Sequence, residues 1–321
     1  MRAAMRMTAS RRGVLAAALS CAWAPAARAG PPVPGSEAVE ADLDLVGRFT
    51  APVHVNGIGP FRFIVDTGAN RSALSRALAE RLALPSAGEG PVHAFTGVFT
   101  APLARVASLR SGALEMNNLD LPIIAPRMLA RADGLLGVDG MTGRRLVFDF
   151  NDDEIRIEDA TRSLRGGGWG AIQAERRFGN LIVADGEVGR IAVRMIVDTG
   201  ANQSFANPPL RDALRTRGAR VQAVTGTRLL AAGAAPIVLD EAIFIPRIAF
   251  DGMELLNVVA YVDDLYIFQL WNLAETPTLV LGMDLITQVR GLAVDYARGI
   301  IHFRGRAAAP VRVGASTRGV F

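Results

Sequence analysis

The sequence predicts an all-β protein built from two similar lobes. A seven-residue segment, Ile-Val-Asp-Thr-Gly-Ala-Asn, occurs at 64–70 and again, letter for letter, at 196–202. Each copy ends an apolar run of strand character and is followed by the same order of strand-like segments. Half of the 321 residues are apolar, which is ample for two cores. These observations favour a duplicated β domain with one site shared between its halves.

The first half of the chain is predicted to fold as strands with one helix. Asn56-Gly57 favours a hairpin turn just before the apolar strand that leads into Asp66. Apolar residues at helical spacing predict a helix over 72–84, which Pro85 ends. Strands in this half are predicted at 50–55, 61–65, 92–99, 101–109, 119–124, 146–150 and 154–157.

The second half repeats this order of elements. Asp185-Gly186 is predicted to be the hairpin turn before the second Asp-Thr-Gly, and Pro208-Pro209 are expected to interrupt a weak helix. The segments 278–282 and 292–296 correspond to 133–137 and 146–150. Other strands are predicted at 181–184, 191–197, 221–230, 236–245 and 255–261.

The domain organisation follows from the repeat and from shifts in composition. The predicted parts are a signal peptide at 1–29, a flexible lead-in at 30–42, a first lobe at 43–160, a linker at 161–175, a second lobe at 176–305 and a tail at 306–321.

The halves are expected to differ most at 263–277. Gly97 and Gly137 are 40 positions apart, whereas Gly226 and Gly282 are 56 positions apart, and the excess is placed in this aromatic-rich segment. Two interpretations stay open. In the first, the segment lines a cleft or binds a partner. In the second, which is favoured, it packs over its own lobe.

The first 29 residues have the character of an export signal. They contain five arginines and no acidic residue, an apolar stretch at 14–24 and the cleavage-type tripeptide Ala27-Arg28-Ala29. The expected location is periplasmic or secreted, by a twin-arginine or an ordinary secretory route. An alternative is a lipid anchor at Cys21. The apolar stretch is too short for a membrane span, so none is expected.

Composition excludes several classes of function. Of the 35 basic residues five belong to the leader, which leaves 30 against 31 acidic residues and gives no reason to expect nucleic acid as a partner. The chain has no lysine for Schiff-base chemistry. Its single cysteine lies in the leader, so no disulfide is expected. His54, His93 and His302 are scattered, and neither a metal site nor a cofactor is predicted.

Asp66 and Asp198 are the predicted catalytic residues. Two carboxyl groups within hydrogen-bonding reach cannot both ionise cheaply, so the pair holds one proton over a broad acidic range. The ionised member takes a proton from water, and the protonated member donates to a substrate carbonyl oxygen. That chemistry hydrolyses a peptide bond without a covalent intermediate.

Neighbouring residues are assigned supporting roles. The glycines let the backbone turn sharply, and the threonine hydroxyls help to fix the geometry. The asparagines brace the turn or present an amide to a bound peptide. The dyad-supporting residues are Thr67, Gly68, Thr199 and Gly200, and the candidate substrate-binding residues are Asn70, Asn202, Gly97 and Gly226.

Over residues 46–304 the chain resembles the pepsin/retropepsin-type aspartic peptidases. The catalytic motif stands at 66–68 and 198–200, and the hydrophobic-hydrophobic-Gly motif stands at 135–137 and 280–282. The Ala after each motif glycine is closer to the retropepsins and to their bacterial retropepsin-like relatives. The resemblance implies two pseudo-symmetric acid-protease-type β-barrel lobes, one aspartate from each, an active-site cleft between them, and threonines that interlock the two loops. It implies an endopeptidase that acts on peptide or protein substrates as a monomer.

The chain also departs from the family pattern. Pepsins close the cleft with a tyrosine-bearing flap, but the corresponding region, 93–99, has no tyrosine. Gly97 and Gly226 each mark a candidate flap. The sequence does not decide whether the protein has one flap or two. The alternative function is a catalytically weak or inactive peptide-binding module of the same fold.

Overall fold

The computed structural model describes residues 36–40, 42–44, 47–164, 167–218, 221–229, 237–250, 253–305 and 311–312. The predicted leader, including Cys21, and most of the predicted tail lie outside these ranges. Within the described ranges, no helix combines the length and apolarity that a bilayer crossing requires.

The first half is a succession of strands with one short helix. The strands are β1 (Ser36–Glu40), β2 (Asp42–Leu43), β3 (Phe49–Val55), β4 (Ile58–Val65), β5 (Ala73–Ser75), β6 (Ser86–Ala94), β7 (Gly97–Ser111), β8 (Leu114–Ile124), β9 (Gly134–Leu136), β10 (Arg144–Asp149) and β11 (Glu154–Asp159). The helix is α1 (Arg76–Arg81), and a 3₁₀ turn covers Pro126–Met128.

The second half repeats this succession. The strands are β12 (Trp169–Arg177), β13 (Leu181–Val188), β14 (Ile191–Val197), β15 (Phe205–Ala206), β16 (Val221–Leu229), β17 (Ile237–Phe250), β18 (Met253–Val262), β19 (Thr278–Leu281), β20 (Gly291–Asp295), β21 (Ile300–Arg304) and β22 (Val311–Arg312). The helices are α2 (Pro208–Arg215), α3 (Tyr266–Leu270) and α4 (Met283–Ile286).

Each half forms one barrel-like lobe. In the first lobe the strand order is β2-β3-β4-β9-β5-β8-β7-β6, and β3 also pairs with β7. In the second lobe the order is β12-β13-β14-β19-β15-β18-β17-β16, and β13 also pairs with β17. Strands β3 to β9 therefore match β13 to β19 in order and pairing. The predicted fold class, all-β with two pseudo-symmetric lobes, is confirmed.

A third layer of strands joins the lobes, in the order β1-β11-β10-β20-β21-β12. At its centre β10 and β20 run antiparallel, with Val147 opposite Ala293. Arg304 of β21 donates to both carboxylate oxygens of Asp149 on β10 at 2.7 Å. One apolar cluster includes Phe148 and Leu292 together with side chains from both lobes. The lobes thus share backbone pairing, a salt bridge and a core.

Two segments predicted as irregular contribute strands to this joining layer. The lead-in, 30–42, includes β1, which pairs with β11 in this layer, and its last residue begins β2, which pairs with β3 in the first lobe. The linker, 161–175, includes most of β12, which pairs with β21 and β13. The reason lies in the backbone, because the outer edges of β11 and β21 need hydrogen-bond partners that side-chain periodicity does not reveal.

Three local predictions in the lobes differ from the structure. The predicted helix over 72–84 begins only at Arg76, because Ala73–Ser75 form β5 between β8 and β9, and Ser75 caps the helix. Pro208-Pro209 begin α2 instead of interrupting it. Proline lacks a backbone N–H, but the N–H groups of the first helical turn have no partner within the helix, so nothing is lost there. Asp185-Gly186 lie within β13, and the turn falls at Gly189-Arg190, where both residues have positive φ.

The extra length of the second half is spread over two places. Nine residues, 125–133, join β8 to β9, whereas fifteen residues, 263–277, join β18 to β19. The β16–β17 hairpin, from 221 to 250, is also longer than the β6–β7 hairpin, from 86 to 111. The prediction that the whole excess falls at 263–277 was therefore only partly right, because Gly226 is not the counterpart of Gly97.

Candidate active site

Two matching loops meet between the lobes, one after β4 and one after β14. The N–H of Asp66 donates to the carbonyl of Leu136, and the N–H of Asp198 donates to the carbonyl of Leu281, both at 3.0 Å. These acceptors lie on β9 and β19, which pair in parallel with β4 and β14. Each aspartate is therefore fixed at the end of a buried strand by the second motif of its own lobe.

The two loops are tied together by their threonines. The hydroxyl of Thr67 donates to the carbonyl of Val197 at 2.6 Å, and that of Thr199 donates to the carbonyl of Val65 at 2.7 Å. Each hydroxyl also accepts the backbone N–H of the other threonine at 3.1 Å. Because Thr67 is 3% and Thr199 0% exposed, water cannot replace these four bonds.

The motif glycines bring each loop against the carboxyl group of the other. A Cβ on Gly68 would lie 2.6 Å from Cγ of Asp198, and a Cβ on Gly200 would lie 2.2 Å from Cγ of Asp66. Each glycine N–H also donates to the aspartate of its own loop, at 2.9 Å for Gly68 and 2.8 Å for Gly200. Only glycine allows this approach, so the sequence motif and the apposition of the carboxyl groups are directly linked.

The two carboxyl groups lie within hydrogen-bonding reach of each other, and their environments differ. Burial and then the charge of Asp66 hold the pKa of Asp198, which is 1% exposed, well above its usual 3.8. Burial also raises the pKa of Asp66, but the N–H of Gly68 and the guanidinium of Arg48 oppose that rise. The pair therefore resists double ionisation and keeps a proton above the usual pKa of a single carboxyl group, with the larger rise at Asp198.

The aspartates lie at the base of a cavity of about 430 Å³. Its walls are largely apolar and come from both lobes. The first lobe contributes Ala69, Ala73, Pro91, Val92, Ala94, Phe95, Pro122, Ile124, Met128 and Leu135, and the second contributes Phe178, Ile267, Leu270 and Trp271. Among the described residues, no group of three or more His, Cys, Asp or Glu side chains is placed to hold a metal ion. A buried acid pair below an apolar cavity can act on a neutral polar bond such as an amide.

Comparison with known families agrees with this geometry. The model of a family described as aspartyl protease matches the chain twice, over residues 51–139 and 184–285. The two matches cover more than half of the chain, one in each lobe. The chain belongs to the aspartyl protease family. No match was found among curated proteins.

Each lobe contains a second pair of linked residues that the sequence analysis missed. Ser72 donates to Asp139 at 2.7 Å and accepts the N–H of Gly137 at 3.1 Å. In the second lobe Ser204 donates to Asp284 at 2.7 Å and accepts the N–H of Gly282 at 3.0 Å. These pairs tie each Asp-Thr-Gly loop to the hydrophobic-hydrophobic-Gly segment beside it.

The signal for these pairs was present in the sequence. Ser72 and Ser204 each stand six residues after a motif aspartate, and Asp139 and Asp284 each stand two residues after a motif glycine. Burial raises the pKa of Asp284 to about 6.

The four candidate substrate-binding residues do not come together. Asn70 is exposed, lines the cavity and lies against Gly179, where a Cβ would be 3.5 Å from its Oδ1. Asn202 is half-buried and is not part of the cavity wall. Gly97 follows the Phe95-Thr96 turn of the β6–β7 hairpin.

Gly226 lies within β16, where the pairing with β17 shifts register between Ala223 and Thr227. The tip of that hairpin, 230–236, is outside the described residues. Gly97 therefore lies at a hairpin tip, whereas Gly226 lies at an irregularity within a strand. The difference arises because the β16–β17 hairpin is longer, so its tip comes at later residues than Gly226.

The 263–277 segment combines both interpretations that the sequence left open. Phe268 and Trp271 are buried in a cluster of their own lobe with Leu181 and Val183. Trp271 nevertheless lines the cavity as well, together with Ile267 and Leu270. Helix α3 is thus packed on the second lobe and forms part of the cleft wall.

Proposed function

We propose that this protein is an exported aspartic endopeptidase that hydrolyses peptide bonds in peptide or protein substrates. The observation that carries the proposal is the apposition of Asp66 and Asp198, one from each lobe, below a cavity whose walls come from both lobes. Membership of the aspartyl protease family supports hydrolysis of peptides as the general class of activity.

The proposed reaction uses the different protonation of the two acids. Asp66, ionised, takes a proton from a water molecule, whose oxygen attacks the carbonyl carbon of the scissile bond. Asp198, protonated, donates to the carbonyl oxygen, which gives a gem-diol. Return of a proton to the nitrogen breaks the C–N bond and releases an amine and a carboxylic acid. The N–H of Gly68 and that of Gly200 hold the carboxylates in orientation throughout.

The lining of the cavity indicates which peptides the protein would cleave. Its apolar lining favours substrates that place a large apolar side chain beside the scissile bond, since such a side chain leaves water on binding. Both aspartates come from one chain, which supports a monomer as the working form. Export is proposed from the leader at 1–29, and the protein recovered from cells should then begin at Gly30, which N-terminal sequencing would establish.

The test is hydrolysis of a mixed peptide library by the purified chain from residue 30 onward, at pH values from 3 to 7, with mass spectrometry of the products. We expect paired fragments whose new ends cluster at apolar residues. A heat-unfolded sample is the control. Peptides that stay intact but are retained by the protein would refute the enzyme and establish the peptide-binding module instead.

A further inference from the structure

The tip of the β6–β7 hairpin, which belongs to the first lobe, touches helix α3 of the second lobe. Nδ1 of His93 and the hydroxyl of Tyr266 are 2.9 Å apart, and their rings stack with centroids 6.0 Å apart and planes inclined by 12°. The backbone N–H of Ile267 donates to the carbonyl of Phe95 at 3.3 Å. Two hydrogen bonds and one ring contact therefore join the lobes at a single place above the cleft.

The second lobe also holds the hairpin tip by apolar packing. The ring of Phe95 lies 5.8 Å from that of Phe205 and packs against the same cluster that buries α3. Within α3 and its C-terminal end, Phe268 is 0% and Trp271 2% exposed. The core of the second lobe thus holds helix α3, and the hairpin tip packs against it from the first lobe.

The same contact forms part of the cavity wall. His93, Phe95 and Ile267 all line it, so the hairpin and α3 meet along its wall. Tyr266 is not part of the cavity wall and lies on the other side of the contact, beside Thr96 and Asp263. Tyr266 therefore contacts the cavity wall through His93 of the hairpin, which has no tyrosine of its own.

We propose that Tyr266 is a positioning residue that latches the hairpin of the first lobe closed over the catalytic aspartates. The latch consists of Tyr266 with His93 and of Ile267 with Phe95. Its effect on catalysis rests on the proposed peptidase function, but its existence as a contact between lobes does not. A substrate chain enters when the latch opens, and the closed hairpin then holds it above Asp66 and Asp198.

Replacing Tyr266 by phenylalanine removes the hydroxyl and keeps the ring. We expect amide hydrogen exchange over residues 93–99 to become several-fold faster, because the hairpin is closed for less of the time. The KM for a peptide substrate should rise about threefold with kcat within a factor of two, because the closed state that holds the bound substrate is less favoured but the closed site itself is unchanged.

Tyr261→Phe is the matched control, because Tyr261 contacts the same ring of Phe205, 6.4 Å away, from β18 and is not part of the latch. Exchange and KM should stay at the wild-type values in this variant. If Tyr266→Phe behaves like Tyr261→Phe, the latch does not exist. The hydrogen-exchange measurement decides this even for a protein that fails to cleave peptides.

A reversible cross-link gives the second test. The sole cysteine of the chain is Cys21, so a chain from residue 30 with Phe95→Cys and Ile267→Cys has only the engineered pair. The backbone hydrogen bond between these positions places them close enough for a disulfide. Under oxidant, cleavage of a protein substrate should fall about tenfold or more, and a reductant should restore it.

The controls are the two single-cysteine variants, each treated with the same oxidant. They show any loss of activity that comes from oxidative damage or from removal of the Phe95 or Ile267 side chain. Failure of the cross-link to form would contradict the proposal, because the two positions would then lie apart in solution. Equal cleavage by the oxidised and reduced double variant would also contradict it, because the hairpin would not need to open.

Discussion

Replacement of Asp66 or Asp198 by asparagine should lower kcat/KM for peptide hydrolysis by about 10³-fold or more, if the proposed function is right. Asp66→Asn removes the base that accepts the proton of water, and Asp198→Asn removes the acid that donates to the carbonyl oxygen. An amide performs neither step, so both variants should be equally inactive despite the different exposure of the two side chains. The measurement is kcat/KM on one peptide identified from the library.

Both variants should stay folded, which separates loss of chemistry from loss of structure. The pKa of each aspartate is raised in the folded protein, so at neutral pH ionisation of the pair lowers the free energy of unfolding. An asparagine does not carry that cost, and thermal unfolding at pH 7 should occur at or above the wild-type temperature. Asp152→Asn, on the exposed turn before β11, is the control and should keep full activity. Cleavage by either dyad variant at the rate of this control would overturn the assignment.

Replacement of Thr199 by valine should lower the free energy of unfolding by about 3 kcal/mol. Valine has nearly the same shape, so the loss comes from the buried carbonyl of Val65 and the buried N–H of Thr67, which lose their partner. The loops carry the aspartates, and kcat should therefore fall as well. Urea unfolding followed by tryptophan fluorescence measures the first effect.

Two further variants make this prediction specific. Thr199→Ser keeps the hydroxyl and should recover most of the stability. Thr287→Val removes an exposed hydroxyl that donates to the carbonyl of Met283 at 2.7 Å within one lobe, and it should cost less than about 1 kcal/mol. If Thr199→Val is no more harmful than Thr287→Val, the interlock of the two loops does not stabilise the site.

The two Asp-Thr-Gly loops could be predicted because their sequence and their geometry depend on the same residues. Gly68 and Gly200 must be glycine, since each lies against the carboxyl group of the other loop, and this need is visible as an identical repeat. The pairing of β10 with β20 likewise follows a repeat, in which Asp149 corresponds to Asp295.

Other features depend on contacts that single-sequence patterns do not encode. Strand β1 is held by backbone hydrogen bonds to β11, and its composition alone favoured a flexible lead-in. His93 and Tyr266 are 173 residues apart and meet only because α3 packs beneath the hairpin of the other lobe. The aromatic character of 263–277 indicated a buried segment, but its role in the wall of the cleft required the fold.

The pH dependence of kcat/KM tests the central claim most directly. A dyad that works with one proton is active only while Asp66 is ionised and Asp198 is protonated, so the profile should be bell-shaped. The rate should fall at low pH as Asp66 gains a proton and at high pH as Asp198 loses its proton. Because the pKa of each group is raised, both limbs should lie above 3.8, and the alkaline limb should be displaced further. A rate that keeps rising through neutral pH would contradict the dyad, because it would show that the base is a group other than this acid pair.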